Sequence, residues 1–268
     1  QALADDAQAV RESLIYIEAD RVDARQRREL ERALRQTLAD VHVAVRDWPK
    51  LRAAMRADAD RLADREAAAL LEWLESGMLT QLGHLVRHRD GSQTGALGIC
   101  RRSARELLAD NSYDSAFAWF EQGGKGAGRE FLVIKANRIA LVHRRVPLDL
   151  FIVPIREGGK VTALSVHAGV WTSAAMAAPP SEVPVLRAHV ADLMGELGFS
   201  PSGHAGKALV HALTALPHDL LIGFSSRDIE RVTTAMMSLV DRPRPRLALV
   251  EAPLARHLFA FVWLPRDM

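Results

Sequence analysis

The chain has 268 residues, a quarter of them charged, a formal net charge of +2 and a single cysteine. That length allows one large domain or two small ones with a sizeable core. The balanced, interleaved charges exclude a basic nucleic-acid surface, the lone Cys100 excludes an intrachain disulfide, and the lack of ~18-residue apolar runs excludes a membrane span.

A cytoplasmic chain is therefore expected, with no nucleic-acid or membrane partner. Cys100 follows Leu97 and Ile99 and reads as a buried structural thiol. Leu14–Ile17 is short and rich in isoleucine, so it reads as a strand fragment. One strand alone is unstable, so its sheet partners are expected elsewhere and the polypeptide is expected to start upstream of Gln1.

From Asp23 to Val45, Leu30, Ala33, Leu34, Leu38, Val41 and Val45 recur at three- and four-residue steps, which predicts one stripe of an amphipathic helix. Asp47-Trp48-Pro49 should break it, because the residue before proline avoids helical geometry. Pro49 then opens a second helix with Leu51, Met55 and Leu62, and a third runs from Asp64 to Ser76 and stops at Gly77. Beyond Gly77, Leu79–Arg87 and Ala96–Cys100 read as strands around an Asp90-Gly91 turn. Residues 103–120 read as weakly helical, and the glycine-rich run 123–128 as a surface loop.

Strands are then predicted at Phe131–Lys135, Ile139–His143, Leu148–Arg156 and Val161–Trp171, the last two joined at Gly158-Gly159. Close strands with short turns indicate an antiparallel sheet with helices on one side. After the linker Ala177–Pro180, helix returns from Ser181 to Val240, with starts at Ser181 and Ser200-Pro201, a stop at Gly198 and a capping box at Ser225–Asp228. Arg246–Glu251 and His257–Leu264 alternate as an edge hairpin, so the chain is expected to continue past its end. The fold class is α+β: an antiparallel sheet module flanked by helical linker segments.

No catalytic constellation emerges. The 123–128 glycines precede a strand rather than joining a strand to a helix, so they do not form a dinucleotide cradle. Gly203–Ala208 lacks the glycine spacing and the hydroxyl of a phosphate loop. It reads as a helix N-terminal turn, where His204 and Lys207 can add to an anion-attracting end. The ten histidines show no HExxH spacing and no ligand set with the single cysteine, so no metal site is expected. Thr172 and Ser173, where a strand gives way to a turn, read as caps for backbone amides. Lys135, Asn137, His143 and Arg144 are the best polar cluster. They suit either a carboxylate-binding face or a network at a domain interface, with the interface favoured.

These residues carry a resemblance. Lys135-Ala-Asn137 with Val142-His-Arg144, Asp149 on the next strand, Gly169–Ala175, Val183-Pro184, Gly203–Leu209 and Val262–Asp267 keep the order of the large NAD-specific glutamate dehydrogenases. The chain resembles the N-terminal, non-catalytic region of that family across nearly its whole length. Ile139, Ala140, Pro147, Leu150 and Ala205 replace polar residues usual there.

The resemblance implies regulatory and assembly modules ahead of an NAD-dependent dehydrogenase. Residues 1–63 would be the end of an ACT-like domain plus helical linker, 64–178 a PAS-type-like sheet module, 179–243 a helical segment, and 244–268 the first hairpin of a following ACT-like domain. It implies no catalytic, cofactor or metal residue in this segment. NAD would belong to the catalytic domain on the remainder of the same polypeptide. A homo-oligomer, and an amino-acid effector at Lys135, Asn137, His143, Arg144, Asp149, Thr172, Ser173, His204 or Lys207, would complete the picture. A stand-alone amino-acid sensor and a purely structural oligomerisation module remain alternatives.

Overall fold

The computed structural model describes residues 14–103, 107–122, 130–224, 226–239, 244, 246–252 and 257–263. The glycine run at 123–128, Ser225 of the capping box, the prolines at 243 and 245, and residues 264–268 lie outside these. The chain divides into two compact units, residues 1–36 and residues 37–268. In the first, residues 14–23 have no regular structure and Leu14 is 98% exposed, so the strand expected at Leu14–Ile17 is absent. A strand is held by a ladder partner, and no described strand pairs with it. The rest of this unit is the first turns of helix α1 (Ala24–Arg61), bearing the exposed pairs Arg25–Glu29 and Arg35–Glu31.

Helix α1 runs unbroken through Pro49, contrary to the two helices expected. The proline removes one hydrogen bond, to the carbonyl of Val45, and that residue is 68% exposed, where water can replace the lost donor. Packing supplies the rest. In the second unit, Asp40, Ala44, Asp47, Leu51, Met55 and Asp58 are buried on both sides of Pro49 and keep one helical face inward. The stripe predicted from Leu30 to Val45 is not the buried one: Leu30, Leu34, Leu38 and Val45 are all exposed.

Three aspartates occupy the buried stripe, each with a specific partner. Arg138 donates to Asp40 at 2.7 Å. The Gly98 N–H donates to Asp47 at 2.8 Å, and Arg101 pairs with the same carboxylate. His167 meets Asp58 at 2.6 Å. Gly98 must be glycine here: its φ is +56°, and a Cβ would lie 2.1 Å from the Leu82 carbonyl oxygen.

Asp64 caps helix α2 (Arg65–Trp73) by accepting from the Glu66 and Ala67 amides. A π-helical turn, Leu74–Met78, ends at the predicted break, where Gly77 takes φ +119°. Then come β1 (Leu79–His88), β2 (Gln93–Gly98), α3 (Cys100–Ser103), α4 (Asp110–Glu121), β3 (Leu132–Ile139), β4 (Pro147–Glu157) and β5 (Lys160–Trp171). The five strands form one antiparallel sheet ordered β2-β1-β5-β4-β3. Ile139 ends β3 and residues 142–146 form bends, so the separate strand expected at Ile139–His143 is not formed; His143 has φ +70° there. Cys100 is buried, and burial pushes its thiol up to about 12, an inert group at neutral pH.

Strand alternation splits the core. Leu150 and Ile152 of β4 and Val166 of β5 pack with Tyr113, Phe117 and Phe120 of α4. Phe151, Val153 and Trp171, pointing the other way, pack with Met55 of α1 and Leu70 and Leu71 of α2. Helices therefore cover both faces, not one. Each β4 and β5 residue in the middle of the sheet is buried on whichever side it points, which explains their near-continuous apolar runs.

Thr172 caps α5 (Ser173–Ala177). Helices α6 (Leu186–Glu196), α7 (His204–Thr214), α8 (His218–Leu221) and α9 (Ser226–Leu239) follow, then the antiparallel hairpin β6 (Arg246–Ala252) and β7 (His257–Trp263). Two helix starts fall later than expected. The chain turns through 181–185, where Val185 takes φ +68° and its N–H is held by the Glu66 carboxylate, before α6 begins. Pro201 and Ser202 form a turn before α7, while Gly198 ends α6 as predicted, with φ +65°. Among the described residues, no helix is long and apolar enough to cross a membrane.

Replacing Asp47 with Ala should cost about 2–3 kcal/mol in chemical denaturation, because a charge-assisted pair is lost and the Gly98 amide is left unpartnered. The Arg101 guanidinium, aided by the Gly98 N–H, holds the Asp47 carboxyl down to about 2, below its unfolded value of about 3.9. Its contribution is thus complete above about pH 4 and lost as pH falls toward 2. The gap between wild type and D47A should narrow through that window; a gap independent of pH would contradict this account.

Candidate functional site

Of the polar residues singled out in the sequence, the fold gathers three. Lys135 and Asp149 are register partners on β3 and β4, with Nζ 2.6 Å from Asp149 Oδ1. Arg144 donates to the Trp171 carbonyl and lies close enough to favour the Asp149 carboxylate. A residue no sequence pattern pointed to completes the group: Asp219 on α8, whose Oδ2 lies 2.5 Å from the same ammonium.

One lysine thus serves two carboxylates across the join between sheet and helices. Burial alone would lower the Lys135 pKa, but the two carboxylates outweigh it and hold the ammonium charged. Burial pushes the Asp149 carboxyl up to about 6; Asp219 adds to that push while Lys135 and Arg144 oppose it. The cationic cradle expected for a carboxylate effector is therefore occupied by the protein's own acids.

The other residues lie elsewhere. Asn137 is exposed, with its backbone N–H donated to the Leu107 carbonyl. His143 is exposed on the bend. Thr172 does the capping job its position suggested, accepting from the Ala175 amide and donating to the Met78 carbonyl, and Ser173 is the exposed first residue of α5. His204 and Lys207 are exposed in the first turns of α7, and no described contact joins them to Lys135.

A second cluster, assembled from three distant segments, has no local spacing to announce it. Asp58 of α1, His84 of β1 and His167 of β5 are buried, and one ligating atom from each lies within 4.8 Å of the others. His84 and His167 are cross-strand partners with ring centroids 4.7 Å apart. His84 Nε2 meets Ser165 Oγ at 2.9 Å while its Nδ1 faces the Gly95 carbonyl at 3.3 Å. Burial, reinforced by His167, pushes His84 down to about 4, so its ring is neutral. Burial would raise Asp58, but hydrogen bonds from His167 and Ser165 and the nearby Arg61 prevail and keep it ionised. The available sequence signal was a histidine on each of two apolar strands.

Every strand pairing among the described residues is antiparallel, and the turn from β5 into α5 carries Thr172 as its cap. Residues 183–242, which contain α6 to α9, match the family described as glutamate dehydrogenase, helical motif 1. The NAD-specific glutamate dehydrogenase of Halomonas elongata is 28% identical over 293 residues, covering 98% of this chain and 18% of that protein. The protein of the same description from Pseudomonas aeruginosa is 27% identical over 285 residues, covering 96% and 17%. The chain is related to these dehydrogenases. It spans less than a fifth of the length of the curated relatives it matches.

Lys135→Met should cost about 3 kcal/mol, the low end for a buried pair losing one partner. Because Asp149 binds its proton more tightly folded than unfolded, its own contribution should fall as pH rises from about 4 to 6, opposing the gain from His84, which folding holds neutral down to about pH 4. Asp149→Asn should therefore make stability rise more steeply with pH than in wild type, in urea melts taken across the window, and an unchanged pH dependence would refute the assignment.

Proposed function

We propose that this chain is the regulatory and assembly segment of a large NAD-dependent L-glutamate dehydrogenase, lying ahead of its catalytic region. What carries this reading is the coverage: relatives of that description match nearly all of this chain with under a fifth of their own length. Oxidation of L-glutamate to 2-oxoglutarate and ammonia, with NAD as hydride acceptor, would then be the work of the remaining polypeptide. The five-stranded sheet, with α3 and α4 inserted between β2 and β3, supports the PAS-type reading of residues 64–178, and the hairpin β6–β7 supports the opening of an ACT-like module.

The internal pairing of Lys135 with Asp149 and Asp219 favours an interface role over an amino-acid sensor. A free amino acid would have to displace two carboxylates already at contact distance. The segment's contribution is accordingly geometric: a rigid spacer with helical and hairpin surfaces presented to the rest of the enzyme or to other subunits.

Mixing the purified chain with L-glutamate and NAD should give no NADH above a protein-free control, whereas the enzyme of full length turns over. Calorimetry of the chain with millimolar glutamate should show no saturable heat. NADH production by the chain would overturn the non-catalytic reading, and saturable glutamate binding would move the segment into the sensor class.

A further inference from the structure

We propose that Asp58, His84 and His167 form a buried binding site for one divalent transition-metal ion of the zinc class, which clips helix α1 to strands β1 and β5. The donor set has the right chemistry: two imidazoles and one carboxylate, with the Ser165 hydroxyl beside them as a fourth donor. All three residues are nearly inaccessible, at 4%, 6% and 2% of their possible exposure. That enclosure suits a structural ion with no open coordination position.

The surroundings are arranged as a metal site's outer shell would be. A ligating histidine ordinarily donates its second ring N–H to a carbonyl or carboxylate, which fixes the ring and turns the other nitrogen inward. His84 does this, with Nδ1 at the carbonyl of Gly95 and Nε2 turned toward Ser165. Gly95 takes φ +61°, a conformation that favours glycine at this position. Arg61 pairs with the Asp58 oxygen opposite the one that meets His167, leaving Oδ2 for the centre of the cluster.

The required movement is small. Ligands on a tetrahedral ion with arms of about 2.0–2.1 Å sit roughly 3.3 Å apart. Asp58 and His167 are 2.6 Å apart through a hydrogen bond, and no pair among the three exceeds 4.8 Å. Binding would open the first contact by under an ångström and draw His84 inward. The proton that His167 Nε2 gives to Asp58 would be carried on Nδ1 instead, so that the neutral ring turns the Nε2 lone pair to the ion between the two groups. Ligands from α1, β1 and β5 then share one ion, so occupancy stabilises the packed helix directly.

The test uses protein purified without a polyhistidine tag and stripped with chelator. Zn2+ is titrated in competition with a chromophoric chelator, Co2+ supplies the coordination spectrum, and the melting temperature is followed with and without Zn2+. The site should take up a single equivalent, give a tetrahedral Co2+ spectrum and raise the melting temperature. Asp58→Asn keeps an acceptor for His167, and His84→Gln keeps a partner for Ser165. Each should weaken Zn2+ binding more than ~100-fold, beyond the loss an outer-shell change gives. Should either variant melt before measurement, the wild-type Co2+ spectrum and melting shift still decide. No uptake by wild type, an octahedral spectrum, or unchanged affinity in folded variants would overturn the proposal and leave a hydrogen-bonded lock.

Discussion

Three aspartates buried on one face of a long helix set the terms for the rest of this structure. An ionised carboxylate removed from water is strongly destabilising unless a partner waits for it. Asp40, Asp47 and Asp58 each find a different one, on β3, at the β2–α3 junction and on β5. Apolar packing of Leu51 and Met55 sets which face of the helix turns inward. The three paired charges add to it, since any slip strands all of them. The helix therefore has one register against the sheet, and Pro49 is carried within it because the packing on either side outweighs one missing hydrogen bond.

That fixed helix leaves a sheet with two apolar faces and only part of one covered. The remainder of the face bearing Phe151, Val153 and Trp171 is closed by α2 and by the helices of residues 183–239, whose Leu186, Leu193, Leu213, Phe224 and Val232 enter the same core. Polar ties run alongside. Lys135 binds Asp219 across the join, and Glu66 holds both the Val185 amide and Arg187. Sheet module and helical motif thus share an interior rather than being strung on a linker, and Pro180 at the supposed linker is itself buried.

Much of the fold was legible because local chemistry agreed with tertiary structure. Asp64 caps where its side chain should, Gly77, Gly158 and Gly198 sit at positive φ, and the edge hairpin falls where alternation placed it. The failures share a cause. Three of the seven buried residues of α1 are acidic, so apolar periodicity points to Leu30, Leu34 and Leu38, which are exposed, and not to Asp40, Asp47 and Asp58. Lys135 and Asp149 could be linked because they fall on neighbouring strands. Asp219 could not, since nothing near it in the chain reports that α8 ends against β3. The Asp58–His84–His167 cluster joins residues 26 and 83 positions apart and is visible only once β1 lies beside β5 under α1.

The claim at the centre is that α1 from Asp40 onward, the five-stranded sheet and the helices of 183–239 form one cooperative body. Native-state hydrogen exchange, read peptide by peptide in low denaturant, tests it most directly. Protected amides of α1, β4, β5 and α9 should open with a common free energy and a common denaturant dependence. Release of α1 or of the 183–239 helices at distinctly lower free energy, with β4 and β5 still protected, would contradict it.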